Sequence, residues 1–216
     1  MIEKTNLLII RHAQSTTNNE KIFTGQIDAK LSDIGKEQAK LLEKYVCANY
    51  KISAVYSSDL IRAENTVKNI AKDFNIPFVL TKNLREINAG LWQGKTMQQI
   101  ENLYPQQCSI WHTDLFDCYP DGGESVKEAI ERVVNEVLKI ARNNIGKTVI
   151  VCTHGLAIRG LAYFSNKQTT VGINKTKFTS NATISRFVFE NNKLSLIEYD
   201  KNDFLGELAT GMPERF

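Results

Sequence analysis

Two periods of hydrophobic positions run through this chain. Leu7-Leu8-Ile9-Ile10 is an unbroken apolar run stopped by Arg11-His12, the pattern of a strand covered on both faces. From Asp33 to Tyr50, Ile34, Leu41, Leu42, Tyr45 and Val46 follow helical spacing, and Ile52 to Ser57 reads as a second buried strand. Asp59 to Phe74 places Leu60, Ala63, Val67, Ile70, Ala71 and Phe74 on one helical stripe, with a short strand at Pro77 to Leu80. Glu124 to Asn144 repeats the helical pattern through Val126, Ala129, Ile130, Val133, Val134, Val137, Leu138 and Ala141, and Gly146 fits its stop. Thr148 to Thr153 is a further buried strand. Ala182 to Glu190 and Leu194 to Tyr199 meet at Asn191-Asn192 as a hairpin. Strands alternating with helices and closing on a hairpin predict an α/β fold: a three-layer α/β/α sandwich with a mostly parallel sheet and helices on both faces.

The stretch from Asn88 to Gly123 breaks the pattern and carries Trp92, Tyr104, Trp111, Phe116 and Tyr119. It reads as a lid-like insert over the core of one domain spanning 1–216. With 42% hydrophobic and 24% charged residues in 216, the chain can bury a substantial core, which excludes disordered and fibrous classes. Lys and Arg number 27 against 24 Asp and Glu, a formal charge of +3. Spread without a basic block, that charge lacks the footprint of a nucleic-acid or membrane-surface binder. Cys47, Cys108, Cys118 and Cys152 show neither CxxC spacing nor disulfide-scaffold density, so free thiols in a reducing compartment are expected. The first apolar run is too short for a signal-peptide core or a membrane span, and the expected location is cytoplasmic.

Three of the strands end in polar residues that a sheet would not choose: Arg11-His12, Ser57-Ser58 leading to Arg62, and Thr153-His154-Gly155. Ligands bind at the carboxyl ends of strands in open α/β sheets, so two histidines and two arginines are expected to face one crevice. Gathering cations there is unfavourable unless an anion compensates them, and a phosphate dianion is the natural guest. Arginine offers planar bidentate donors, and a helix start near Asp59 or Leu156 adds backbone N–H groups. A neutral imidazole can attack phosphorus. Read singly, Arg62 would be a solvated surface residue, His154 a satisfied core histidine and Glu86 a loop charge. Of the remaining candidates, Glu124 sits where a helix N-terminal acid is expected, and His112 is read as structural or lid-borne.

Taken in order, Arg11-His12-Ala13-Gln14-Ser15 with Asn18, Leu31-Ser32 with Gly35, Tyr56-Ser57-Ser58-Asp59-Leu60 with Arg62-Ala63 and Thr66, Leu84-Arg85-Glu86 with Gly90, Trp92 and Gly94, Gly123-Glu124-Ser125, Thr153-His154-Gly155 and Ser180-Asn181-Ala182-Thr183-Ile184 resemble the motifs of the histidine phosphatase superfamily. This family comprises cofactor-dependent phosphoglycerate mutases and related phosphatases. The resemblance implies a phosphoglycerate mutase-like fold, with His12 as nucleophile, Glu86 as proton donor and acceptor, and His154 completing the catalytic set. Arg11, Arg62 and Asn18 would bind the substrate phosphate, with no metal and no cofactor. The family usually reads Arg-His-Gly-Glu at its first motif. Ala13 and Gln14 depart from it, and an alanine forced to positive φ would be strained, so an altered loop beside the phosphate is expected.

The family's mutases carry a longer segment between the motif of Glu86 and Gly123-Glu124-Ser125, and the short segment here favours hydrolysis. Between Asn88 and Gly123 one Lys, Lys95, faces four acids, Glu101, Asp114, Asp117 and Asp121. An acidic lid disfavours multiply phosphorylated substrates and suits a neutral leaving group stacked on Trp92, Trp111 or Tyr119. The expectation is a small-molecule phosphomonoester hydrolase, with α-ribazole phosphate as one substrate, acting as a monomer or homodimer without nucleic-acid or membrane partners. The alternatives are a cofactor-dependent phosphoglycerate mutase and a non-catalytic binding protein on the same fold.

Overall fold

The apolar runs become the inner strands of one six-stranded sheet in a computed structural model, which describes residues 4–165 and 172–211. In chain order the elements are β1 (Thr5–Arg11), α1 (Thr16–Asn19), α2 (Asp33–Asn49), β2 (Ala54–Ser58), α3 (Ile61–Asp73), β3 (Phe78–Thr81), α4 (Met97–Leu103), α5 (Pro105–Thr113), α6 (Val126–Arg142), β4 (Thr148–Thr153), α7 (Gly155–Ser165), β5 (Ile184–Glu190) and β6 (Lys193–Lys201). The strand order is β3-β2-β4-β1-β5-β6. The first four are parallel, and β5 and β6 add an antiparallel hairpin beside β1. Its turn places Asn191 (φ 52°) and Asn192 (φ 58°) in the left-handed region, the conformation asparagine tolerates best among residues with a Cβ.

β1 shows why its sequence has no polar alternation. Leu7 and Ile9 enter a core shared with Val149, Val151, α6 and α7, whereas Leu8 and Ile10 enter a second core with Ile150, Cys152, α2 and α3. Both faces are therefore covered, as parallel strands require. Each such aliphatic side chain contributes roughly 1.5–3 kcal/mol on burial. The edge strand β3 is different: Val79 and Leu80 are exposed.

The helical stripes need two corrections. On α2, Ile34 lies outside the core and Gln38 lies inside, fully buried. Its side chain is satisfied twice over, accepting from the Gln14 N–H at 2.9 Å and donating to the Leu208 carbonyl at 2.8 Å. On α3, Arg62 and Thr66 are buried beside the apolar stripe, so Arg62 is not the solvated arginine that its helix alone would suggest. The 88–123 segment folds as short helices whose Trp92, Cys108, Trp111, Leu115 and Cys118 join the larger core. All four cysteines are free thiols. Among the described residues no helix is long and apolar enough to cross a membrane.

Candidate active site

β1, β2 and β4 deliver Arg11-His12, Ser57-Ser58 and Thr153-His154 to the same end of the sheet, as parallel pairing of Arg11 with Thr153 and of Ser57 with Cys152 requires. The loop after β1 is clamped from below. Ala13 N–H donates to Thr66 Oγ1 at 2.9 Å, and Ser32 N–H donates to the Gln14 carbonyl at 2.9 Å. Gly35 permits that approach, because a Cβ there would lie 1.9 Å from the Gln14 carbonyl oxygen. Ser15 then caps α1 in a reciprocal box with Asn18. The feared strain at position 13 is absent: Ala13 lies outside the left-handed region, and the alanine held there is Ala182 (φ 56°). Gln14 accepts from Ser32 Oγ at 2.7 Å, so the replacement of the usual glutamate keeps an acceptor.

Hydrogen bonds fix both imidazoles. His12 Nδ1 lies 2.8 Å from the Ala13 carbonyl, which can only accept, so Nδ1 carries the proton and Nε2 presents its lone pair. Arg62 Nε donates to that Nε2 at 3.3 Å. Arg62 Nη2 lies 3.2 Å from His154 Nδ1, and a guanidinium only donates, so His154 carries its proton on Nε2 and gives it to Ser58 Oγ at 2.9 Å. The rings stand 5.0 Å apart, and the carbonyls of Gly25 and Ile27 anchor the rest of Arg62. Burial first, and Arg62 second, hold both histidines well below their ordinary pKa. Each is a neutral base at pH 7. Burial also lowers the Arg62 pKa to about 10, which leaves it charged. Arg11 is buried and donates to the Thr179 carbonyl.

Glu86 accepts from the N–H groups of Ile87 at 3.0 Å and Leu156 at 3.2 Å. Burial nonetheless pushes its pKa up, because desolvation outweighs those bonds and the neighbouring Arg62 and Arg11. Glu124 is accounted for elsewhere, accepting from Asn88 N–H at 2.8 Å and from Arg132 at 2.6 Å. The helix starts expected to hold phosphate are likewise committed. Leu156 N–H serves Glu86, and Ile61 N–H donates to Asp28 at 2.7 Å.

Arg11, His12, Asn18, Arg62 and Glu86 all line a pocket of about 390 Å³, and His154 sits behind Arg62. The rest of the lining corrects the sequence reading. Trp111 is the one lining residue from 88–123, while Trp92 is in the core and Tyr119 lies exposed outside the pocket. None of the four acids of that segment lines the pocket, so its negative charge says nothing about substrate. Lys21, Ile22, Phe23, Phe178, Thr210 and Gly211 complete the wall instead. The sequence offered no periodic signal in 15–30 or in the tail from Asn202, of which 212–216 lies outside the described residues. Asn181, in the last of the family motifs, has a place here that its motif alone does not define. It donates to the His12 carbonyl at 3.1 Å and to Asn18 Oδ1 at 3.3 Å.

Two histidines, two buried arginines and a carboxyl thus meet at the ends of parallel strands. The chain matches the model of the histidine phosphatase superfamily (branch 1) over residues 7–202, and it belongs to that family. It is 32% identical over 162 residues to phosphoglycerate mutase-like protein 4 of Arabidopsis thaliana, covering 74% of this chain and 70% of that protein. To phosphoserine phosphatase 1 of Hydrogenobacter thermophilus it is 28% identical over 205 residues, covering 93% and 94%. Bacillus stearothermophilus YhfR superposes with a TM-score of 0.86 at 22% identity, covering 93% of this chain and 99% of that one, a likeness of fold.

Proposed function

We propose that this protein hydrolyses small phosphomonoesters without a metal or cofactor, through a phosphohistidine on His12. One observation carries the reading: His12, with its Nδ1 held at the Ala13 carbonyl, lines the same pocket as Arg11, Arg62 and Glu86, and the Nε2 lone pair engaged by Arg62 Nε–H is released to phosphorus when that N–H turns to a phosphate oxygen. In the first step His12 Nε2 forms a bond to phosphorus as the P–O bond to the leaving group breaks. The bonding pair goes to the leaving oxygen, which takes the proton of Glu86. Arg11, Arg62 and the Nδ2 of Asn18 hold the equatorial oxygens, where charge spreads in the transition state. In the second step Glu86 takes a proton from water, the water oxygen bonds to phosphorus, and the P–N pair returns to His12 with release of inorganic phosphate. His154 acts as a neutral partner of Arg62, keeping that guanidinium aimed at the pocket.

Phe23, Trp111 and Phe178 favour a leaving group with an apolar or aromatic portion, such as α-ribazole phosphate, and Lys21 adds a cation at the same wall. Phosphoserine, named for one relative, brings a carboxylate that such a cation attracts. The test is inorganic phosphate release, with chelator present, from α-ribazole phosphate, phosphoserine, p-nitrophenyl phosphate, 3-phosphoglycerate and fructose-2,6-bisphosphate. Release undiminished by chelator is expected. Interconversion of phosphoglycerates without net phosphate release establishes the mutase instead, and silence on the whole panel overturns catalysis.

A further inference from the structure

Away from the pocket, α4 and α5 place three ligand-type side chains together. Cys108 and His112 are four residues apart on α5, hence on one face of the helix, and Glu101 reaches them from α4. The Glu101 oxygen, Cys108 Sγ and a His112 ring nitrogen all lie within 4.8 Å of one another, with His112 Nε2 and Glu101 Oε1 4.0 Å apart. It is the one such group among the described residues. We propose that Glu101, Cys108 and His112 form a Zn²⁺ site that braces α4 against α5.

The donor set decides the metal. A thiolate, an imidazole and a carboxylate suit a borderline-soft ion and not Mg²⁺ or Ca²⁺, which take oxygen ligands. Tetrahedral zinc holds such atoms about 3.3–3.6 Å from one another. Glu101 and His112 are each about two-fifths exposed at the side chain (43% and 42%), so torsions of these two can close the difference while buried Cys108 stays in place. Burial and the Glu101 charge hold the Cys108 thiol in its protonated form, so zinc must displace that proton, and its affinity rises with pH. Trp111, next to His112, lines the pocket and packs edge-on against Phe23 and Trp92. A brace on α5 therefore steadies one residue of the substrate wall and leaves the reacting groups untouched.

The experiment is calorimetric titration of EDTA-stripped, tag-free Cys47→Ser protein with Zn²⁺, with Mg²⁺ and Ca²⁺ as controls. Removing exposed Cys47 eliminates a competing thiol. One equivalent of zinc binding tighter than about 10 µM is expected, with neither control binding, and a Tm gain of about 5 °C or more at hundredfold excess. Co²⁺ in place of zinc gives the thiolate charge-transfer band of a tetrahedral Cys-ligated site. His112→Ala, at an exposed position, folds as before, keeps its chelator-treated hydrolysis and loses at least tenfold in zinc affinity. Cys108→Ser loses the charge-transfer band. Undiminished binding in His112→Ala assigns the zinc to other residues, such as the pocket histidines, and overturns the site. Absence of stoichiometric binding overturns it equally. Hydrolysis in chelator is read separately, so failure of this site and failure of the proposed reaction are distinct results.

Discussion

In the part of the pocket that the proposed reaction gives to phosphate, Arg11, His12 and Arg62 are each 5% exposed or less and are held by backbone carbonyls. The rest of the lining, which the proposed reaction gives to the leaving group, includes Lys21, Ile22, Trp111, Phe178 and Thr210, from a turn, α5 and the segments flanking the β5–β6 hairpin. The first end is rigid for an electrostatic reason. Buried charges and neutral imidazoles are costly without partners, so these hydrogen bonds set the positions of Arg11, His12 and Arg62 before substrate arrives. Apolar contact and one lysine make up much of the second end, and such surfaces discriminate by only about 1–3 kcal/mol per group. Chemistry and selectivity are thus separable, and substitutions at the two ends break different quantities.

The largest break is His12→Ala. Removing the nucleophile is expected to lower kcat by about 10⁴ or more on every substrate, because no covalent step remains. Quenching into alkaline SDS during turnover of ³²P-labelled substrate traps an alkali-stable, acid-labile phosphoenzyme in the wild type and none in the variant. Label trapped undiminished in the variant would move the nucleophile elsewhere.

Glu86→Gln comes next and separates proton transfer from phosphate binding. A loss of about 10²–10³ is expected for alkyl phosphates, and far less for p-nitrophenyl phosphate, whose leaving group needs no proton. The pH profile supplies the sign. Burial raises the Glu86 pKa, so the acid form persists to higher pH than in an ordinary glutamate, and its loss produces the basic limb of kcat/KM on alkyl esters. His12, with its pKa well lowered, stays an unprotonated nucleophile far below pH 6.5. Glu86→Gln abolishes the basic limb and leaves the acid one. A basic limb that survives, or an equal loss on all leaving groups, transfers the acid role to another residue.

The same divide governs what could be read from the sequence. The sheet and its flanking helices were legible because continuous apolar runs and 3.6-residue stripes are the signature of burial. The place of the candidate site was legible because Arg11-His12 and Thr153-His154 interrupt that signature at strand ends. Arg62 required the ordered motifs, since a lone arginine on an amphipathic helix carries no sign of its partners. The wall was illegible for a physical reason. Lys21, Phe178 and Thr210 lie in stretches without period, brought together only by the paths of loops across the ends of the strands. Charge summed over 88–123 misled, because sequence proximity to Trp111 does not place Asp114 or Asp117 in the pocket.

Trp111→Ala gives the smallest effect and the sharpest test of the comparison. Trp111 is 4% exposed, so part of what the substitution removes is packing against Phe23 and Trp92, costing stability on the scale of ~3–5 kcal/mol for a buried aromatic. Folding is therefore verified by thermal melting, and Trp111→Phe serves where alanine melts the 88–123 segment. In folded protein the substitution is expected to raise KM about tenfold for substrates with an aromatic leaving group. The kcat on phosphoserine should change by no more than about threefold, because no reacting atom touches the indole. Equal losses in kcat across the panel would mean that the 88–123 segment controls the geometry of His12 and Arg62, and the two ends of the pocket would then be one coupled unit.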